Sequence, residues 1–310
     1  MSSEDQPQDI GRRRRRGGER AAQPAAAAPP AQPSLPFPPL DLLSADEIES
    51  IHRAALTVLM EIGIDFLHDG ARAILKAAGA DVDPASKRVR FDPALIEAEI
   101  GLAPREFVLH ARNPTRSITV GGRHVAFGSV GSAPNACDRA RGRRQGTIAD
   151  YRNFLRLGQT FDQIHFWGGY PVEPVDVHPS VRHLDALFDM LTLTDKPIHA
   201  YSLGRERNLD AIEMVKIARG VDDETLEREP SLFTVINSSS PLRLDTPMLE
   251  GVIQMARLNQ VVVLTPFTLA GAMAPVTLAG ALVEQHAEAL AGLVMTQTVR
   301  PGAPFVYGGF

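Results

Sequence analysis

The stretch SLFTVINSSSPLRLDTPMLEGVIQMARLNQVVVLTPF, residues 231–267, decides the fold. SLFTVIN is a nearly unbroken apolar and β-branched run that ends in small polar residues. TPMLEGVIQMARLN then carries apolar residues at helical spacing, with Pro at its first turn, and VVVLTPF is a second buried-type strand. A strand, a helix of suitable length and a second strand form a βαβ unit, whose two strands are parallel. Continuous rather than alternating apolar runs mean that both faces of those strands are covered.

The same rhythm extends in both directions. Upstream lie the helix TIADYRNFLRLGQTF (147–161), the strand HFWGGYPVE (165–173), the helix HPSVRHLDALFDMLTLT (178–194), the strand PIHAYSLG (197–204) and the helix RNLDAIEMVKIARG (207–220). Downstream follow the long helix PVTLAGALVEQHAEALAGLVMTQTV (275–299) and the strand PFVYGG (304–309). Strands recurring every 30 to 45 residues or so fit either a doubly wound sheet or a (β/α)8 barrel. No G-x-G-x-x-G or G-x-x-x-x-G-K-[ST] loop joins a strand to a helix, which favours the barrel. Fewer than eight strands can be found, so the expected fold class is α/β, a TIM-barrel type (β/α)8 fold that is incomplete within this chain.

Residues 40–146 read as an α+β segment at the N-terminal side of the barrel. Ser44 and Glu47 form a capping box ahead of Ile48, Ile51, Ala55, Leu56, Leu59 and Ile62, and Gly63 ends that helix. HDGARAILKAAGADVD is a shorter helix closed by Gly79, and Asp92 with Pro93 starts a third. EFVLHAR, SITVGG and HVAFGSVG read as short strands, and DRARGRR as a solvated basic turn. Residues 1–39 combine GRRRRRGGER with a Pro/Ala-rich run, too poor in large apolar residues to offset the entropy of ordering, and read as a disordered arm.

At 310 residues, 44% hydrophobic and a net charge of −5, the chain has material for a large core and no overall bias toward nucleic acid. No run approaches the roughly 18 apolar residues of a membrane span. Prolines interrupt any signal-peptide core after the Arg run. The single cysteine, Cys137, cannot form an internal disulfide, which fits a cytoplasmic location. No partner for it as a nucleophile is identifiable.

In a barrel, working residues lie at the C-terminal ends of strands. Those ends carry Gly168, Gly169, Tyr170 and Glu173, then Tyr201 and Ser202, then Asn237 to Ser240, then Thr265 to Phe267, then Tyr307, Gly308 and Gly309. Trp167, Tyr170, Tyr201, Phe267 and Tyr307 fall there although the chain has only 4 Tyr and 1 Trp. Several aromatic faces around one pocket suit a quaternary or tertiary ammonium, which ring quadrupoles attract and few hydrogen bonds can grip. The same rings would serve to close core layers, and strand alternation prevents all five from facing inward. Glu173, held between Pro171 and Pro174, is the candidate acid–base carboxylate, with simple solvation as the competing reading. His165, His178, His183 and His199 lack metal-ligand spacing, and no C-x-x-C occurs, so no metal site is expected. Asp176-Val177-His178 begins like a corrinoid-binding D-x-H-x-x-G signature, but Val181 stands at the glycine position, so this chain is not expected to hold a corrinoid itself.

Taken together, LSADEIESIHRAALTVLMEIGIDFLHDGAR, VLHARNP, VGGRHVAFGSVGSAPNACD, WGGYPVEPVDV, RHLDALFDMLTLTDKPIHAYSLGRER, FTVINSSSPLRLD and LTPFTLAGAMAPVTLAGALVEQHAEALAG resemble the trimethylamine methyltransferase family, from the Arg-rich start to the last residue. The resemblance implies a (β/α)8 barrel that passes a methyl group from a methylated amine to the Co(I) corrinoid of a separate corrinoid protein. The substrate it implies is a quaternary amine such as glycine betaine, or trimethylamine. Founding members use pyrrolysine, at a position expected beyond residue 310; the resemblance here is to the relatives without it, and the chain looks C-terminally incomplete. A barrel lyase or isomerase acting on an anion is the rival, and it needs basic side chains at strand ends, where only Arg205 and Arg243 come close. An inactive incomplete barrel that pairs with itself through exposed strand edges, a homo-oligomer, is the other alternative.

Overall fold

The computed structural model describes residues 32–309. The Arg-rich run lies outside them. Within the described part of the expected 1–39 arm, residues 32–35 are tied to the body, while residues 36–39 are exposed. The Gln32 side chain donates to the Thr119 carbonyl and accepts from the Thr119 N–H, each at 2.8 Å, and Val125 N–H donates to the Pro33 carbonyl at 2.9 Å.

Helix α1 (Ala45–Thr57) begins at the expected capping box: Ser44 N–H donates to Glu47 Oε2 at 2.8 Å, and Glu47 N–H returns to Ser44 Oγ at 3.3 Å. A π-helical turn, Val58–Ile62, carries it to Gly63 at φ 76°, where a side chain would run into the Val89 carbonyl. There follow β1 (Ile64–Phe66), α2 (Asp69–Ala77), β2 (Asp81–Val82), β3 (Arg88–Arg90) and α3 (Pro93–Leu102), the last capped by Asp92 as expected. Strands β4 (Glu106–Leu109) and β5 (Ile118–Gly121) form an antiparallel hairpin. The DRARGRR segment is more ordered than a solvated turn, since it joins β6 (Asn135–Asp138) to β7 (Gly142–Gln145) in a second hairpin. Arg144 locks that hairpin to the next helix through both Asp150 carboxylate oxygens, at 2.5 and 2.6 Å.

From residue 147 the β/α rhythm is present: α4 (Ile148–Gln159), α5 (Arg182–Leu193), β8 (Ile198–His199), α6 (Arg205–Arg219), a short α7 (Asp223–Arg228), β9 (Leu232–Asn237), β10 (Arg243–Leu244), α8 (Thr246–Arg257), β11 (Val261–Thr265), α9 (Leu278–Val299) and β12 (Phe305–Tyr307). Strands β8, β9, β11 and β12 pair in parallel, in chain order. Single parallel bridges from Trp167 to Ile198 and from Gly128 to Phe166 continue that order backward. A doubly wound sheet would reverse direction at a switch point, and no reversal occurs among these strands. HFWGGYPVE and HVAFGSVG therefore sit where the strands were expected, but only as isolated bridges. Closely spaced glycines and prolines leave too few consecutive residues free to build a ladder there.

Alternation sorts the side chains into two layers. Leu232, Ile236, Val262 and Leu264 are buried on the face covered by α8 and α9. Phe233, Val235, Val261, Val263 and Val306 point the other way, against Phe107, Leu109, Ile118 and Val120 of the β4–β5 hairpin. Helices α4, α5, α6, α8 and α9 pack each against the next along the first face. The segments 40–146 and 147–310 share one core: α1 and α3 pack on α9, and β10 pairs in parallel with β1. Among the described residues no helix is long and apolar enough to cross a membrane.

Trp167 lies in this core, 1% exposed, with its indole filling the space left by Gly158 of α4. A Cβ at residue 158 would lie 2.9 Å from indole Cζ2, so Gly158→Val is expected to cost about 1–3 kcal/mol by overpacking. The shift in urea midpoint, followed by the fluorescence of the chain's single tryptophan, measures it.

Candidate functional site

At the C-terminal ends of the first strands the chain folds around one hydroxyl. Gly169 at φ 149° turns the backbone tightly beneath Tyr201, and a side chain there would collide with the Tyr201 hydroxyl. That oxygen accepts the Tyr170 N–H at 2.9 Å and bonds Ser132 Oγ, which the β6 side of the fold brings in at φ 59°. Since the Tyr201 oxygen already accepts from a backbone N–H, its own proton is free for Ser132.

The two rings meet edge to face, with centroids 4.5 Å apart and planes at 66°. Tyr151 of α4 stands perpendicular to Tyr170 at 5.6 Å, and its hydroxyl donates to the Ala186 carbonyl at 2.8 Å. On the other side His199 lies 4.5 Å from the Tyr201 ring and stacks on Phe233 at 5.2 Å. An aromatic file therefore crosses from the helix layer to the opposite face of the sheet. Burial raises the pKa of all three tyrosine hydroxyls and outweighs the opposing charges of Arg182 and Arg207 at Tyr170 and the hydrogen bonds at Tyr201, so they stay neutral phenols. His199 is buried as a neutral ring, its pKa pushed down to about 3 by desolvation. Its Nε2 accepts the Val235 N–H at 3.1 Å, which places the ring proton on Nδ1.

Tyr170 and Tyr201 wall a cavity of about 240 Å³ together with Ser132, Glu173, Pro179, Arg182, His183, Leu203 and Arg207. Glu173 is present as expected, but it accepts from Arg182 at 2.8 Å and so enters the cavity as half of an ion pair. The sequence candidates Tyr170, Glu173 and Tyr201 are thus brought together. Arg182, His183 and Arg207, from the first turns of α5 and α6, are site residues that sequence reading did not assign to a pocket. Their signal was position: each follows a strand end at the start of a helix, where barrel sites collect ligand contacts.

The remaining candidates are placed elsewhere. Trp167 is packed under α4, as described above, and is removed from the pocket. Tyr307 is also removed, because Val306 pairs with Val263 and faces the hairpin layer, which turns Tyr307 to the helix face. There its hydroxyl lies 3.3 Å from His286 Nδ1 in a separate cleft of about 610 Å³. His286 Nε2 in turn meets His52 Nδ1 at 2.8 Å, and His52 Nε2 meets Glu97 at 2.7 Å. Asn237, Phe267 and Gly308 sit at the ends of β9, β11 and β12, farther along the sheet. Asn237 Oδ1 accepts from Thr265 Oγ1 at 2.5 Å, Phe267 N–H donates to Ser238 Oγ at 3.3 Å, and Gly308 N–H donates to the Leu264 carbonyl at 2.8 Å. Arg243, weighed as a basic strand-end residue, turns to Asp65 of the N-terminal sheet at 3.8 Å.

Beside these strand ends α9 carries two carboxylates one turn apart. Glu288 is fully buried and accepts from Ser238, from Ser240 Oγ at 2.7 Å and from Leu242 N–H at 2.6 Å. Glu284 has one buried oxygen without a hydrogen-bond partner, and burial, reinforced by the charge of Glu288, raises its pKa to about 7. An E-x-x-x-E pair on a helix this apolar was a legible signal, because like charges at i, i+4 gain nothing from each other. Among the described residues no group of three or more His, Cys, Asp or Glu is arranged to hold a metal.

The chain matches the family described as trimethylamine methyltransferase (MTTB) over residues 10–310. It belongs to that family. It is 35% identical over 271 residues to a glycine betaine methyltransferase of Desulfitobacterium hafniense strain Y51, covering 87% of this chain and 56% of that protein. It is 31% identical over 266 residues to the trimethylamine methyltransferase MttB of D. hafniense strain DSM 10664 / DCB-2, covering 86% of this chain and 53% of that one. A Methanosarcina barkeri family member, also called trimethylamine methyltransferase MttB, is 28% identical over 274 residues, with 87% and 55% covered. The chain thus spans about half the length of the relatives it matches.

Proposed function

We propose that the protein containing this chain is a cytoplasmic methyltransferase of (β/α)8 barrel type. It moves a methyl group from a methylated amine to the Co(I) corrinoid of a separate protein. The observation that carries this reading is the Tyr170–Tyr201 pair walling a cavity at the ends of chain-ordered parallel strands, in a member of a methyltransferase family. Parallel strands added in one direction, with helices on one face, suit a barrel wall. The DVH stretch supports a corrinoid carried elsewhere, since His178 is exposed and its Nδ1 engages Ser180 Oγ at 2.8 Å in the turn before α5.

The chemistry asks little of side chains as nucleophiles. A Co(I) acceptor attacks the methyl carbon, the C–N bond breaks, and the electron pair leaves on nitrogen, so a quaternary ammonium departs as a neutral tertiary amine. The chain's part is to bind the cation on aromatic faces, strip its water and aim one methyl group outward. Tyr201, its hydroxyl held by Ser132 and by the Tyr170 N–H, and the buried phenol of Tyr170 give a wall that stays neutral near neutral pH.

The test supplies glycine betaine, trimethylamine or tetramethylammonium as donor and chemically reduced cobalamin as acceptor. Appearance of the methylcobalamin spectrum with at least one donor is expected. Tyr201→Ala should lower the rate at limiting donor by about 10-fold or more, each lost cation–π wall being worth up to about 2 kcal/mol. No methylation of cobalamin with any donor, in a protein that melts cooperatively, overturns the proposal.

A further inference from the structure

We infer that Arg207 and His183 form a carboxylate subsite, so that the tyrosine cavity selects zwitterionic ammonium compounds over purely cationic ones; this rests on the methyl-donor reading of that cavity. The charges lining the cavity do not cancel. Glu173 is already matched by Arg182 at 2.8 Å, whereas Arg207 meets only the Pro179 carbonyl, at 3.3 Å, and no carboxylate among the described residues. One uncompensated guanidinium therefore shares a cavity with rings suited to a cation. A bare ammonium seated on Tyr170 and Tyr201 is repelled by it, while an ammonium that carries its own carboxylate places that group at Arg207 and turns repulsion into attraction.

His183 points to the same ligand independently. Its Nε2 lies 2.9 Å from Asp210, but its Nδ1 is buried and has no hydrogen-bond partner, although the residue lines the cavity beside Arg207. Buried polar atoms without partners are uncommon, and one at a cavity wall marks a place where a ligand completes the bonding. A ligand carboxylate at Arg207 shares the cavity lining with this unpartnered nitrogen and stands where its missing partner belongs. Helices α5 and α6 both start at this cavity, at Arg182 and Arg205, and neither has a side-chain cap, so their N-terminal dipoles add to the same positive field. Glu173 and Arg182 then form the neutral edge of the pocket.

Calorimetric titration of the full chain with glycine betaine and with its carboxamide, which keeps the trimethylammonium and loses the negative charge, tests the subsite. Wild type is expected to bind betaine at least tenfold tighter than the carboxamide. Arg207→Gln should erase that ratio by weakening betaine alone, and Arg207→Lys should restore part of it. Equal binding of the two ligands to wild type overturns the subsite and leaves the methyl-donor reading standing, and this comparison holds even if a variant fails to fold. A parallel loss of both ligands in folded Arg207→Gln also overturns it. Binding of neither ligand to wild type removes the methyl-donor reading of the cavity and the subsite with it.

Discussion

Glu288→Ala is expected to lower the unfolding free energy by about 3–5 kcal/mol, because three buried donors lose their acceptor at about 1–3 kcal/mol each, part of which relaxation recovers. The carboxylate is 0% exposed and sits on α9, yet its three donors all belong to the loop between β9 and β10. Burial pushes its carboxyl pKa up, and the three hydrogen bonds oppose that shift. Alanine leaves two hydroxyls and the Leu242 N–H facing a dry gap, each at a desolvation cost of about 1–3 kcal/mol where water cannot enter. The damage should spread, because β10 follows directly and pairs with β1, tying the N-terminal sheet to the main one. Glu288→Gln keeps one acceptor oxygen but turns an NH2 toward a donor, and is expected to cost about 1–3 kcal/mol. Urea unfolding of the three proteins gives the order wild type, Gln, Ala. An Ala variant within about 0.5 kcal/mol of wild type would show that the loop does not depend on this carboxylate.

Acid should destabilise the fold through His199. The unfolded chain protonates this ring below its ordinary value of 6.5, and the folded chain resists until about 3. In that window the unfolded state binds one more proton, so stability falls as pH falls, by about 1.4 kcal/mol per unit and about 3 kcal/mol in all by pH 4. His286, pushed down to about 4 by burial and by His52, acts in the same direction with a smaller effect because it is less enclosed. His199→Gln retains an oxygen to accept the Val235 N–H and carries no titrating group. Its urea midpoint between pH 7 and 4 should therefore fall less steeply than that of wild type, by the equivalent of about one proton. Coincident slopes for the two proteins would rule out His199 as the acid-sensitive group.

Much of the local structure was legible because it is decided within a few residues. Capping boxes such as Ser44 with Glu47, the Asp92-Pro93 helix start and the apolar runs of β9 and β11 depend on neighbours no more than a turn away. Family membership was legible too, since long stretches of similar sequence carry it. The candidate site was only partly so. Tyr170, Glu173 and Tyr201 do converge, whereas Trp167 and Tyr307 share the same kind of position and face the helices instead.

Parity explains that difference. A strand sends successive side chains to opposite faces, and sequence shows the alternation without showing which face is which. The pairing of Val306 with Val263 settles it for Tyr307, and the close approach of Gly158 settles it for Trp167. Glu288 with Ser238, 50 residues apart, and Arg207 left beside an Arg182 already paired to Glu173 are likewise products of the packed chain. By itself the sequence determined the β/α rhythm, the helix starts and the family. Only the tertiary structure decided which aromatics share a cavity and which charges in it remain unpaired, because both depend on register and on contacts between residues far apart in the chain.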